Sequence, residues 1–212
     1  MSAQPIDHTV RQLLRADEIA KKALDAAEGE LVGLKGLAPE MRAAAAAFAS
    51  ANELVRSMER ALAKETAEGE SAVRSLAVVY DELLALATRK AGFSGGAADS
   101  FATHDDFIAV AESMEQAFEA AGGEQWAKAA LGKLAPAVDA TAKEYTEQVA
   151  AGRALQKAQA QRARAADEAR EILVPFRKAV RASFGRSSKE YRDLRDRRYA
   201  GGSAEPPPAP PA

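Results

Sequence analysis

The sequence predicts an all-α protein, an antiparallel four-helix bundle built from two duplicated helical hairpins. Alanine occupies 52 of the 212 positions, which leaves few large apolar side chains and favours narrow seams between closely packed helices. Glycine and proline are grouped at 29–39, 92–96, 122–136 and 201–211, so the segments between these groups are long. Within those segments, apolar residues recur every three or four positions, as on one face of a helix.

The first hairpin is predicted from residue 7 to residue 91. Asp7 is expected to cap its first helix, whose apolar residues are Val10, Leu13, Leu14, Leu24, Leu31 and Leu34. Its second helix begins near Pro39, because the first helical turn does not need a backbone N–H, and it ends before Gly92. The seam of this second helix is formed by Met41, Ala44, Phe48, Ala51, Val55, Met58, Leu62, Leu76, Val79, Leu83 and Leu86.

The second hairpin is predicted from residue 104 to residue 185. Thr103 and Asp106 have the spacing of a capping box, and they precede a third helix with Phe107, Ile108, Ala111, Met114 and Phe118. After Gly122-Gly123, a short segment with Trp126 and Leu131 leads to Pro136, where the fourth helix is predicted to begin. Its seam consists of Val138, Ala142, Tyr145, Val149, Gly152, Leu155, Leu173, Phe176, Val180 and Phe184.

The two hairpins align with each other at an offset of 97 residues. Residues 34–39 match residues 131–136, and Met41 falls on Val138. This agreement indicates an internal duplication, although alanine-rich amphipathic helices also align by chance. Two hairpins would bury each other's apolar stripes in one bundle. We therefore expect a single bundle over residues 1–199, which includes a basic arm at 186–199, followed by a disordered, Pro-rich tail at 200–212.

The second and fourth helices are longer than the first and third. Either the long pair projects as a two-stranded coiled coil, or each long helix breaks near its middle, at 65–71 and 159–169, where large apolar residues are absent. A break, or a waist of small residues, is favoured over a polar pocket because an unpaired charge in a core is costly. The waist residues are Gly69, Ala163, Ala166 and Ala169, and the pocket residues are Glu65, Glu68, Gln159 and Arg162.

The motifs of the common enzyme classes are absent from the sequence. The chain has no cysteine, no Glu-x-x-His pair, and no serine-hydrolase, phosphate-loop or dinucleotide-binding signature. Its two histidines, His8 and His104, stand beside Asp7, Asp105 and Asp106, but helix capping explains these aspartates without a metal. We therefore predict no catalytic residue, no cofactor and no metal site.

Charge is distributed unevenly along the chain. The net charge is −2, yet residues 162–199 carry 12 basic and 6 acidic side chains. Such an excess of basic side chains is typical of a nucleic-acid-binding surface. However, Glu190, Asp193 and Asp196 alternate with the arginines and reduce the local positive charge. A self-association arm or a solvated helix end is therefore the better interpretation. No secretory signal or membrane-spanning run is visible, so we expect a cytoplasmic protein without membrane partners.

The run Phe184-Gly185-x-x-Ser188-x-Glu190-Tyr191, together with the repeated Leu-Ala-Pro hinge, resembles uncharacterised bacterial proteins built as duplicated four-helix bundles. The sequence departs from that pattern after Tyr191, where Arg192 replaces the start of an expected Gly-Gly turn. The resemblance implies a fold and no activity.

The functional prediction is a non-catalytic helical interaction module that binds a protein partner or associates with itself. A bundle that binds a small ligand or a metal through its mid-helix polar residues is the alternative. Binding of nucleic acid through the basic C-terminal segment is a further alternative.

Overall fold

The computed structural model describes the backbone of residues 4–194 and the side chains of residues 9–194. Over these residues the protein contains helices and no strands, which confirms the predicted all-α class. The helices are α1 (Gln4–Asp25), α2 (Val32–Lys35), α3 (Ala38–Leu86), α4 (His104–Ala120), α5 (Gln125–Phe184) and α6 (Lys189–Leu194). A π-helical turn, Ala87–Ala91, follows α3, and a 3₁₀ turn, Ala98–Ser100, precedes α4. Residues 195–199 of the predicted arm and the tail at 200–212 lie outside the described residues.

The chain divides into two compact units, and both long helices contribute to each of them. Unit 1 comprises Met1–Leu54 and Gln159–Ala212, and unit 2 comprises Val55–Ala158. Unit 1 therefore contains α1, α2, α6, the start of α3 and the end of α5. Unit 2 contains α4, the rest of α3 and the first part of α5. The assignment of the chain to two repeats stays a prediction.

The core of unit 1 is formed by α1, α2 and α6 together with one segment of each long helix. Its largest fully buried side chains are Leu13, Leu34, Met41, Phe176, Val180 and Leu194. Two polar contacts tie the shorter elements to α1: Gln12 Nε2 donates to the Leu194 carbonyl at 3.4 Å, and Lys35 Nζ donates to the Ala26 carbonyl at 2.6 Å. The second contact places a cation at the C-terminal end of α1, where helix carbonyls lack partners.

In unit 2, α3 and α5 run antiparallel, and α4 packs against both. The Lys133 ammonium of α5 forms an ion pair with Glu82 of α3, and Gln148 Nε2 of α5 donates to Thr66 Oγ1 of α3 at 3.3 Å. The residue numbers of the contacting pairs increase along α5 and decrease along α3, so the two helices run in opposite directions. The buried side chains of this core include Leu76, Tyr80, Leu83, Phe107, Ala111, Met114, Phe118, Leu134 and Val138.

An aromatic cluster closes the loop between α3 and α4. The Tyr80 hydroxyl donates to the Gly96 carbonyl at 2.9 Å. The rings of Phe93, Phe101 and Phe107 meet the Tyr80 ring edge to face, with centroids 5.2–6.3 Å away, an arrangement that aromatic quadrupoles favour. The loop is thereby anchored to the core of unit 2.

Thr103 is the N-cap of α4, and its contact with Asp106 forms one half of the predicted capping box, because the Asp106 carboxylate accepts from the Thr103 hydroxyl and not from the Thr103 backbone N–H. The Asp106 amide donates to Thr103 Oγ1 at 3.1 Å, and the same hydroxyl donates to Asp106 Oδ2 at 2.7 Å. The Thr103 side chain thus satisfies one of the free N–H groups at the start of the helix.

Two boundary predictions are wrong. Asp7 lies inside α1, which already begins at Gln4, because Pro5 is tolerated in a first turn. The fourth helix does not begin at Pro136 but at Gln125, and buried residues on either side of the proline, Leu134 and Val138, keep one continuous helix packed on its neighbours.

The long helices also have no break at 65–71 or 159–169. Each remains helical throughout those stretches. The absence of large apolar residues removes packing contacts there, but Ala, Glu, Lys, Gln and Arg retain a high helix propensity.

Candidate functional site

A stretch of α3 and α5 in unit 2 lies outside the hydrophobic core. From α3 the core takes residues between 73 and 86, and from α5 residues between 126 and 138. Beyond this core, α3 and α5 form a groove of about 470 Å³, which we call the central groove. Its walls are mainly apolar, and its lining residues are Glu59, Leu62, Ala63, Thr66, Ala67, Glu70 and Leu155.

Three carboxylates from the same two helices meet in this stretch. Glu65 of α3 and Glu144 and Glu147 of α5 have carboxylate oxygens that all lie within 4.8 Å of one another. Glu144 Oε2 is buried and has no hydrogen-bond partner in the described part of the chain. Lys64 Nζ lies 3.5 Å from Glu65 Oε1, and Lys143 Nζ lies 3.7 Å from Glu147 Oε1, so cations approach this carboxylate cluster from outside.

A second groove, of about 260 Å³, lies between α4 and α5, and we call it the acidic groove. Asp105 and Glu112 stand along its α4 side, and its other lining residues are Ile108, Ala109, Ala142, Tyr145 and Thr146. The Tyr145 hydroxyl donates to Asp105 Oδ2 at 3.1 Å. This hydrogen bond and the charge of Asp105 raise the pKa of Tyr145.

The four residues of the predicted polar pocket have separate surroundings. Glu65 joins the carboxylate cluster, while Glu68 is exposed and pairs with Lys64 at 2.9 Å. Gln159 is exposed. In unit 1, Arg162 Nη1 donates to Asn52 Oδ1 at 3.4 Å.

Glu144 and Glu147 were not singled out in the sequence. Their three-residue spacing, which puts both on one face of a helix, was the available signal. Their meeting with Glu65 depends on the register between α3 and α5, which the sequence does not give.

The predicted waist residues differ in burial. Gly69, Ala166 and Ala169 are buried, and Ala163 is exposed. A Cβ atom added at Gly69 would lie 3.4 Å from Gln148 Oε1. This is an ordinary van der Waals distance to the end of a flexible side chain, so a Cβ atom could be accommodated at position 69.

His104, Asp105 and Asp106 form the first turn of α4. The side chains of Asp7 and His8 lie outside the described residues. The absence of a histidine metal site, a catalytic residue and a cofactor stays a prediction.

Comparison with known proteins gives no relative from which a role can be transferred. The chain matches no protein-family model, no curated protein and no solved structure. Across residues 4–194, none of the helices combines the length and the apolar character required to cross a membrane.

Proposed function

We propose that this chain is a non-catalytic helical interaction module that associates with a second copy of itself through the central groove. The observation that carries the proposal is this mainly apolar groove, which lies beyond the core of unit 2. Leu62 and Leu155 are only half-buried there. Covering such a groove removes apolar surface from water, which is the main driving force of association.

Charge complementarity favours a second copy as the occupant. The α3 wall of the groove carries Glu59 and Glu70. Along α5, residues 148–158 contain Arg153 and Lys157 and no acidic side chain. Two copies related by a twofold axis would place the acidic wall of one beside the basic stretch of the other. Four helical segments would then surround one seam, as in an antiparallel four-helix bundle.

The internal duplication is part of the same proposal. The buried residues of α1 and α4 follow the same spacing of three, three and four positions, at an offset of 95 residues, two fewer than the offset of 97 that aligns the long helices: Leu13, Ala16, Ile19 and Ala23 in α1, and Ile108, Ala111, Met114 and Phe118 in α4. The aligned pair Leu76 and Leu173 is also buried at both positions. This agreement supports a common origin of the two hairpins.

We also propose that the protein is located in the cytoplasm.

Sedimentation equilibrium of the full chain tests the proposed self-association. We expect a dimer at micromolar concentration and a Leu62→Lys variant whose dissociation constant is weaker by roughly a hundredfold, because a lysine ammonium would be buried at the contact. Val78→Lys is the matched control, since Val78 is an apolar residue of α3 that is 70% exposed and lies outside the groove. It should associate like the parent.

A parent chain that remains monomeric from micromolar to millimolar concentration overturns the proposed self-association. Equal weakening by Leu62→Lys and Val78→Lys overturns the assignment to the central groove. Circular dichroism of each variant establishes that loss of association is not loss of folding.

Binding of a divalent cation at the carboxylate cluster is a second candidate function. It is favoured by the buried Glu144 Oε2, which lacks a hydrogen-bond partner in the described part of the chain and lies in a cluster with the carboxylates of Glu65 and Glu147. Oxygen ligands of this kind suit Ca²⁺, Mg²⁺ and Mn²⁺.

Thermal unfolding with added Ca²⁺, Mg²⁺ or Mn²⁺ tests this second candidate. A cation that binds the folded chain raises the midpoint by mass action. We expect the rise to disappear in Glu144→Gln and to persist in the exposed control Glu68→Gln. If none of these ions shifts the midpoint of the parent chain, the candidate is wrong.

A further inference from the structure

The two units carry opposite net charge. Unit 1 contains 18 basic and 15 acidic residues, and unit 2 contains 11 basic and 16 acidic residues. Their net charges are therefore +3 and −5, which the net charge of −2 for the whole chain conceals. Such a division allows electrostatic attraction between different units of two copies.

Helix α4 holds much of the negative charge of unit 2. It contains five Asp and Glu residues and no Lys or Arg, whereas α1 contains four residues of each sign. Asp105, Glu112 and Glu119 recur every seven positions and so lie along one face of α4, which we call the acidic face. Within the described part of the chain, none of the α4 carboxylates forms an ion pair.

The environment of Glu115 shows that this negative charge is not neutralised locally. Partial burial raises the pKa of its carboxyl, and the neighbouring carboxylates Glu119, Asp139 and Glu112 raise it further. A cation brought to this face would relieve their mutual repulsion.

The acidic groove beside this face suits a lysine or arginine side chain. Ile108 and Ala142 offer apolar surface for an alkyl stem. Asp105 and Glu112, two helical turns or about 10 Å apart along α4, offer carboxylates to the charged head. The Tyr145 ring, 39% exposed, adds a face for a cation–π contact.

The complementary surface lies in unit 1. Residues 177–192 carry six basic side chains and one acidic side chain, and we call them the basic segment. Its exposed cations are Lys178, Arg181, Arg186, Lys189 and Arg192. Among the described residues, none of these five forms an ion pair.

The basic segment has a defined backbone conformation. Gly185, with φ of 88°, terminates α5. Ser188 Oγ then accepts from the Tyr191 amide at 3.1 Å at the start of α6. Its cations are therefore carried by the end of α5, by α6 and by the turn between these two helices.

We infer that the acidic face and acidic groove of one copy bind the basic segment of a second copy. This inference rests on the proposed self-association and names a contact additional to the central groove. The basic segment carries a net charge of +5 and α4 a net charge of −5, so the contact is balanced. Because each copy carries both surfaces, a closed dimer uses the contact twice, and an open arrangement forms a chain of copies.

Two charge-reversed variants of the full chain test the inference. The acid-reversed variant carries Glu112→Lys and Glu119→Lys, which leave the first turn of α4 intact. The base-reversed variant carries Arg186→Glu, Lys189→Glu and Arg192→Glu. In sedimentation equilibrium at low salt, we expect each variant alone to dissociate with a constant weaker by roughly tenfold or more. Added salt should weaken the parent in the same direction.

An equimolar mixture of the two variants is the decisive measurement. The reversed face of one variant then meets the reversed segment of the other, and the remaining native surfaces meet as in the parent. We expect mixed complexes with an affinity close to that of the parent. Circular dichroism verifies that both variants are folded.

The outcomes separate this inference from the proposed function. If the parent chain stays monomeric, both are wrong. If the parent associates and both reversed variants associate equally well, only the charged contact is wrong. If a duplex DNA binds the parent at physiological salt, and base reversal abolishes that binding without weakening self-association, the basic segment is a nucleic-acid surface instead.

Discussion

Replacement of Gly95 by alanine is expected to destabilise unit 2 strongly. Gly95 lies in the loop that follows α3, against the aromatic cluster. A Cβ atom built there would lie 2.5 Å from Phe93 Cε1, 2.6 Å from Phe93 Cζ and 2.7 Å from the Tyr80 hydroxyl. All three distances are shorter than van der Waals contact, so at least one aromatic side chain would have to move.

The surroundings of both rings make such a movement costly. Tyr80 is fully buried, and its hydroxyl donates to the Gly96 carbonyl. Phe93 is 8% exposed and meets the Tyr80 ring edge to face. Overpacking of a dense core costs about 1–3 kcal/mol, and loss of the hydroxyl hydrogen bond adds about 1 kcal/mol. We expect the free energy of unfolding to fall by about 2–4 kcal/mol.

Urea denaturation followed by circular dichroism measures this change, with Gly132→Ala as a matched control in the same unit. Gly132 lies inside α5, and a Cβ atom added there meets nothing within 4 Å. Alanine at position 132 should therefore stabilise the protein by about 0.5–1 kcal/mol.

The two glycine substitutions should thus change the free energy of unfolding in opposite directions. In a Phe93→Leu background, the cost of Gly95→Ala should shrink, since the contact with the ring is removed. If Gly95→Ala stays within about 0.5 kcal/mol of the parent, the close approach of the loop to the aromatic cluster is refuted.

Three further predictions concern caps, charge and the two cores. Thr103→Ala should lower the free energy of unfolding by about 1 kcal/mol through loss of the α4 cap, while Thr103→Ser should retain it; equal unfolding curves would count against the cap. Because burial and neighbouring carboxylates raise the pKa of Glu115, its ionised form opposes folding. Glu115→Gln should stabilise the protein at pH 7, and this gain should shrink as the pH falls through the raised pKa, since the parent is then neutral as well; a gain independent of pH would contradict the assignment. Phe118→Ala and Phe176→Ala each empty a fully buried site, at a cost of about 3–5 kcal/mol. Hydrogen exchange should accelerate most in unit 2 for the first and in unit 1 for the second, and an identical pattern would argue against two separate cores.

Helix ends set by local chemistry were predictable from the sequence. The start of α3 beside Pro39, the end of its helical run before Gly92 and the capping of α4 by Thr103 follow from residues next to each boundary. The same reasoning failed at Pro136, although it lies in the same Leu-Ala-Pro sequence as Pro39. Pro39 lies in the first turn of α3, and Pro136 lies inside α5 between the buried residues Leu134 and Val138. The two prolines thus differ in the tertiary packing around them, and a short sequence motif carries no information about that packing.

The candidate sites were predictable only in part, for a related reason. Leu62 and Leu155 were placed on helical seams by their spacing, and both line the central groove. The meeting of Glu65 with Glu144 and Glu147 depends on the register of two antiparallel helices that are distant in sequence. Periodicity places residues on the face of one helix and says nothing about which residue stands opposite.

The shortage of large apolar residues explains why the central groove lies where it does. Along α3, the large buried side chains are Met41, Phe48 and Val55 at one end and Leu76, Tyr80 and Leu83 at the other. Residues 59–70, which line the groove, fall between these two sets. Helix propensity keeps this stretch helical without a core of its own. The intervening helix therefore retains half-buried apolar side chains that neither core covers. A second copy could bury these side chains without unfolding either unit, and this is the physical basis of the proposed self-association.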